Sequence, residues 1–194
     1  MSGRSRRPGA SPPRSQHFLG PSSVAAEIAR AAGLGPGDLV VEFGAGHGRR
    51  TEQLAARAGR VIAIELDRRL ADRLAHRLRE RSNVVVVEGD ALAVPLPKGP
   101  FRVVCNPPFH ITSALLHRLL DDRRVQLLRA DLVLQWGAAL ALTGVFGPAH
   151  KARPWQDRYE FLLLRRLPAG LFQPRPSWDA ALVSIRARPG TRTG

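Results

Sequence analysis

Leu39-Val40-Val41-Glu42-Phe43-Gly44-Ala45-Gly46-His47-Gly48 passes from five strand-forming residues into three alternating glycines. Arg49 to Ala58 then reads as a helix. A strand that turns through glycines into a helix opens a βα unit, and the glycines let the backbone approach a ligand closely. The spacing is shorter than a dinucleotide fingerprint, and tight turns also use it, so the glycines alone do not name a ligand. Outward from this stretch the same alternation continues. Arg60 to Glu65 reads as a second strand, and Leu66, Leu70, Leu74 and Leu78 recur every four residues along an amphipathic helix. Val84 to Val87 and Phe101 to Cys105 are further strands, and Ile111 to Leu120 is a helix. Upstream, Ser22 and Ser23 can cap a helix carrying Val24, Ile28 and Ala31. Downstream, Asp131 to Trp136 is strand-like, Gly137 to Leu142 is helical or looped, and Tyr159 to Leu164 and Ala180 to Ala187 are β in composition. Repeated strand–helix alternation implies an α/β fold with a parallel sheet covered on both faces. The last two strands have no long helix between them, which predicts an antiparallel edge.

The 194 residues suffice for one domain with a full core, and 44% are hydrophobic. No apolar run approaches 18 residues, so no membrane span is expected. The formal charge of +14 calls for an anionic partner, with nucleic acid first. Almost all of it is arginine; lysine occurs only at 98 and 151. Arginine suits bidentate phosphate contacts and base stacking, while a GC-rich coding genome would give the same bias. A single cysteine, Cys105, excludes an internal disulfide and fits the cytoplasm. The six histidines lack metal-ligand spacing, and no metal site is expected. Residues 1–15 hold Arg4, Arg6, Arg7 and Arg14 and no acid or apolar core, which predicts a disordered basic arm rather than a secretory signal. A transit peptide is a minor alternative.

Asn106-Pro107-Pro108-Phe109 follows directly on the strand Phe101 to Cys105. An amide, two prolines and an aromatic at the carboxyl end of a strand form a rigid, flat, polar-lipped slot, where open α/β sheets bind ligands. It suits a planar substrate whose exocyclic amine must be held. Glu65 closes the second strand about 20 residues after the glycines, where an acid accepts from ribose hydroxyls. Asp90 closes the third and can accept from an adenine amine. Glycines, an acid and a second acid on successive strand ends describe a cradle for an adenosine-bearing cofactor. Glu42 is expected only to support the loop. Cys105 is expected in the core.

The ordered set Gln16-His17-Phe18-Leu19, Glu42 to Gly48, Ile64-Glu65-Leu66-Asp67, Gly89-Asp90-Ala91, Asn106 to Phe109 and Phe172-Gln173-Pro174-Arg175-Pro176 resembles the class I S-adenosylmethionine-dependent methyltransferases. Within them it is most similar to the rRNA adenine-N6 methyltransferases of the Erm type, which act on 23S rRNA and confer macrolide–lincosamide–streptogramin B resistance. The similarity spans Ser15 to about Arg188. It implies a Rossmann-like seven-stranded sheet, mostly parallel with an antiparallel edge. It implies S-adenosylmethionine as cofactor, bound by His17, Leu19, Gly44, Gly46, Glu65, Asp90, Ala91 and Asn106. Asn106, Pro107 and Phe109 would act on the target adenine. Two departures are His17, where the type usually has Asn, and Pro107, where Ile is frequent. Asn-Pro-Pro-aromatic also serves DNA adenine and protein glutamine methyltransferases, so the tetrapeptide does not fix the substrate.

The resemblance further implies residues 16–188 as the catalytic domain and 189–194 as a short tail, without the small helical domain that usually follows. RNA binding would then fall to the arm, to the helix from Arg68 to Arg81, and to Lys151 to Arg166 with Trp155 and Tyr159 interleaved. The expected partner is 23S rRNA, naked or in an assembly intermediate, and the enzyme is expected to be a monomer. The competing readings are a small-subunit rRNA adenine dimethyltransferase and a non-catalytic RNA-binding relative.

Overall fold

The computed structural model describes Phe18–Leu19 and residues 22–190. The expected basic arm, His17 and residues 191–194 lie outside the described residues. Seven strands form one sheet: β1 Leu39–Phe43, β2 Arg60–Glu65, β3 Val84–Glu88, β4 Phe101–Cys105, β5 Leu127–Gln135, β6 Tyr159–Leu167 and β7 Ala180–Ala187. Their spatial order is β3-β2-β1-β4-β5-β7-β6. The pairs from β3 to β5 are parallel, and β7 runs antiparallel to both β5 and β6. The expected antiparallel edge is therefore present, with β7 inserted inside β6. Strand order reverses between β1 and β4, the switch point where such sheets open a crevice at their carboxyl ends.

Alternation along the strands assigns the two layers. Val40, Val61, Val104 and Val133 face one cluster with helices α1 (Ser22–Ala31) and α2 (Arg49–Ala55). Ala63 packs on the same side against Leu74 and Leu78, on and just after α3 (Arg68–Arg77). Val41, Phe43, Val103 and Cys105 face the opposite layer, built from α4 (Thr112–Leu120) and α5 (Trp136–Thr143). Strands buried on both faces read as continuous apolar runs, which is why β1, β2, β4 and β7 match the sequence bounds.

Several boundaries differ from expectation, and three of the differences have a physical reason. β5 begins at Leu127, not Asp131, because Arg129 and Asp131 pair with each other at 2.7 Å and the carboxylate is buried with its partner. Trp136 starts α5 rather than ending a strand. Leu66 lies before α3 and is 67% exposed, so it leaves the apolar stripe. Asp67 instead caps α3, accepting from the Leu70 amide at 3.1 Å.

The carboxyl end of α1 is closed by arginines from the sheet. Arg129 donates to Ala31 O at 2.7 Å, and Arg102 donates to Ala32 O and to Gly33 O. These are the carbonyls a helix end leaves without intrahelical partners. Asp38 holds Arg102 at 2.8 Å. Among the described residues no helix is long and apolar enough to cross a membrane.

Candidate active site

The glycine loop follows β1 at the switch point. Gly44, Gly46 and Gly48 all have φ between +55° and +68°, left-handed backbone that residues with a Cβ rarely adopt. A Cβ on Gly44 would stand 3.7 Å from Pro108 Cδ, an ordinary contact, so conformation rather than crowding asks for glycine there. The same proximity sets the glycine loop against Asn106–Phe109 on the neighbouring strand. At Gly48 a Cβ would overlap the Leu74 side chain.

Glu65 is 3% exposed at the end of β2. Its Oε2 accepts from the Gly46 amide at 2.7 Å and its Oε1 from the Asp67 amide at 3.0 Å. The carboxylate thus fixes the glycine loop relative to the start of α3. Each oxygen keeps a second lone pair for a hydroxyl donor. Asp90 lies in the exposed turn after β3, and its Oδ1 accepts from the Leu92 amide at 2.8 Å. Leu66, exposed beside Glu65, adds an apolar wall at this edge.

Under the loop, Glu42 is fully buried and meets Arg50 Nε at 2.8 Å. Burial pushes the Glu42 carboxyl above its ordinary range, and Arg50 and Thr51 oppose that rise. Arg50 also reaches Gly44 O at 3.4 Å. Glu42 therefore supports the glycine loop through Arg50.

Asn106 is partly buried, with its side-chain oxygen shielded from solvent, and Pro107 is buried. Phe109 begins a 3₁₀ turn, Phe109–Ile111, that leads into α4. Its ring meets Trp178 edge-on, with centroids 4.3 Å apart and planes at 86°. Cys105 is fully buried, and burial pushes its thiol up to about 12, so it is a core residue and no nucleophile at neutral pH.

The structure brings the glycine loop, Glu65, Asp90 and Asn106–Phe109 to the carboxyl ends of four adjacent strands. Leu19 pairs with Phe172 in a short antiparallel ladder, which ties the first motif to the late one. Ala91 has a role the sequence did not signal. Arg118 of α4 donates to the carbonyls of Ala91 and Val94, with the Asp90 charge nearby. The helix following the Asn-Pro-Pro-Phe motif thereby holds the loop that carries Asp90.

Trp155 and Tyr159 are each 4% exposed, and Trp155 Nε1 donates to Asp121 Oδ1 at 2.7 Å. Neither ring can stack on a base, which removes them from the expected RNA patch. Arg68, Arg69 and Arg73 stand exposed on α3, whereas Arg77 turns back to the glycine loop and α2, donating to His47 O and pairing with Glu52 at 3.0 Å.

A model of the family described as ribosomal RNA adenine dimethylase matches residues 12–192. The chain belongs to this family. It is 37% identical to the ribosomal RNA small subunit methyltransferase A of Moorella thermoacetica, over 90% of this chain and 66% of that protein. It is also 37% identical to the rRNA adenine N-6-methyltransferase of Aeromicrobium erythreum, over 97% of this chain and 55% of that protein. Among solved structures, the 23S rRNA methyltransferase ErmE superposes with a TM-score of 0.82 at 33% identity, covering 89% of this chain and 70% of that one. The chain thus spans just under two thirds of the first relative and little more than half of the second. Enzymes of the family use S-adenosylmethionine. The residues present fit that group: a glycine loop in left-handed backbone, a carboxylate with spare lone pairs, an exposed apolar wall and a second acid stand in order along the crevice.

Proposed function

We propose that this chain transfers a methyl group from S-adenosylmethionine to N6 of a specific adenine in 23S rRNA, and that it confers macrolide–lincosamide–streptogramin B resistance. The observation that carries the reading is the placement of Asn106-Pro107-Pro108-Phe109 against the glycine loop, with Pro108 facing Gly44 across the switch point.

The cofactor supplies an electrophilic methyl group on a sulfonium. Glu65 binds the ribose hydroxyls, Asp90 accepts from the adenine amine, and Leu66 covers the adenine face. Gly44 and Gly46 allow close approach, and Ala91, Leu19 and His17 complete the binding set. The lone pair on the target N6 is delocalised into the ring, which makes the amine a poor nucleophile. The Asn106 side-chain oxygen and the Pro107 carbonyl each accept an N6 hydrogen. This draws the nitrogen toward tetrahedral geometry and stabilises the positive charge that develops on it. Phe109 stacks on the base and holds it for attack. The base must be splayed out of its helix to enter the slot. Arg68, Arg69 and Arg73 of α3 meet phosphates, and the protein works as a monomer in the cytoplasm on naked rRNA or an assembly intermediate.

The similarity to the Moorella thermoacetica protein favours a second reading, in which the adenine lies in small-subunit rRNA. Primer extension on both rRNAs from cells expressing the chain decides between them. A stop at one adenine of 23S rRNA, absent with Asn106→Ala, is the expected result. A stop confined to 16S rRNA establishes the second reading, and no Asn106-dependent transfer of labelled methyl from S-adenosylmethionine to either rRNA overturns both.

A further inference from the structure

A cavity of about 510 Å³ adjoins the target-base slot and takes no part in the chemistry above. Its walls include Gln135, Trp136, Arg166, Ser177, Trp178 and Asp179, from the carboxyl ends of β5 and β6 and the segment entering β7. The volume is that of a small-ligand site. Trp178 is a shared wall, since the same ring that lines the cavity meets Phe109 edge-on at 4.3 Å. One aromatic ring therefore separates the cavity from the residue that stacks the target adenine.

We propose that this cavity receives the base of the nucleotide flanking the target adenine, stacked on Trp136; the proposal rests on the rRNA methyltransferase reading. Two tryptophans favour a flat aromatic occupant. The Arg166 guanidinium lies over the Trp136 ring, 4.9 Å from its centre, so the incoming base stacks on the combined Arg166–Trp136 platform. Asp179 sets the polarity. It accepts from Arg166 at 2.7 Å and from the Ala169 amide at 2.8 Å, and these bonds keep it ionised. A carboxylate in the wall repels a phosphate, so the base enters and the backbone remains outside. Arg175 is exposed and its charge reaches Asp179, which makes it a candidate partner for that phosphate. The slot selects an adenine, and the cavity adds a requirement on its neighbour.

The test uses the full chain and short rRNA transcripts containing the mapped adenine, with the nucleotide on either side replaced in turn by an abasic residue. One of the two replacements should weaken RNA binding by about tenfold in the unaltered protein, the scale of one base–aromatic stack. Trp136→Ala should bind the intact transcript about tenfold more weakly and show no further loss with the abasic one. Trp136→Phe, which keeps a ring, should restore the difference, and Arg166→Gln, at an exposed position, should reduce it without touching the core. S-adenosylmethionine affinity should be equal throughout. Equal abasic losses in the unaltered protein and in Trp136→Ala, or no loss in either, overturn the proposal. If no transcript is methylated, the parent reading fails, and tryptophan quenching by a single-stranded oligoadenylate decides this one. Quenching that disappears in Trp136→Ala supports the cavity as a base site, and unchanged quenching overturns it.

Discussion

Two of the arginine–carboxylate pairs packed against this sheet do different work. Beneath the glycine loop, Glu42 and Arg50 are almost wholly removed from water, and Arg50 extends to a carbonyl of the loop. Beneath the end of α1, Arg102 and Asp38 remain partly exposed, with side chains 12% and 22% accessible, and Arg102 extends to helix carbonyls. The first pair fixes backbone that approaches the proposed cofactor. The second joins a helix to the sheet and has no bearing on the crevice. Burial is what separates them. A charge left alone costs far more where water cannot reach it. Position in the fold then decides whether the loss is felt as stability or as function.

The sharpest way to break this contrast is to remove one partner. Arg50→Met strands the Glu42 carboxylate and should cost about 3–5 kcal/mol in denaturant unfolding. The folded state of that variant holds the Glu42 carboxyl still further above its ordinary range. The penalty is thus present above the unfolded carboxylate pKa and is relieved as pH falls through that range. A variant as stable as the unaltered protein at neutral pH would show that Glu42 is not charged there.

Asn106→Ala probes the crevice without disturbing either pair. Single-turnover methylation should fall by about 10²–10³-fold, the scale of one lost transition-state hydrogen-bond acceptor, with unfolding midpoint and cofactor affinity nearly unchanged. Methylation at the normal rate would remove Asn106 from the chemistry. Arg102→Met should cost less than Arg50→Met, about 1–3 kcal/mol, because water can reach both Asp38 and the freed carbonyls. A cost equal to that of Arg50→Met would collapse the distinction between the pairs.

The parts of the fold that were legible in sequence are those where burial is apolar on both faces. β1, β2, β4 and β7 show themselves as continuous runs, and the strand-end glycines and acids fall at the crevice by position alone. Reading failed where polar groups satisfy one another inside the fold. Arg129 and Asp131 hid the first half of β5, because a charged pair resembles solvent-facing surface until the partner is seen. Trp155 looked like a base-stacking ring among arginines, yet Asp121 takes its indole N–H and the ring is buried. Leu66 erred the other way, since helical spacing enrolled it in a core stripe although it stands exposed beside Glu65. Arg118 had no signal at all. Its targets are backbone carbonyls 24 and 27 residues earlier, and only the fold brings them together.

The smallest effect belongs to the far side of the sheet. The Trp155 hydrogen bond, followed by the His117 contact, holds the Asp121 carboxyl below its usual range. A depressed acid contributes stability that is present above its unfolded pKa and lost as pH falls through the folded one. Trp155→Phe should therefore cost about 0.5–1.5 kcal/mol at neutral pH, with the deficit narrowing in acid. A deficit that does not change with pH would mean that ring packing, not this bond, sets the cost.

The central claim is that four adjacent strand ends form a cradle for S-adenosylmethionine beside an adenine-N6 slot. Calorimetric titration of S-adenosylmethionine into the unaltered protein tests it most directly. The structure predicts one site per chain, weakened by about 1–3 kcal/mol in Asp90→Ala through the lost hydrogen bond to the adenine amine. No binding to the unaltered protein, or binding indifferent to Asp90, would contradict the account.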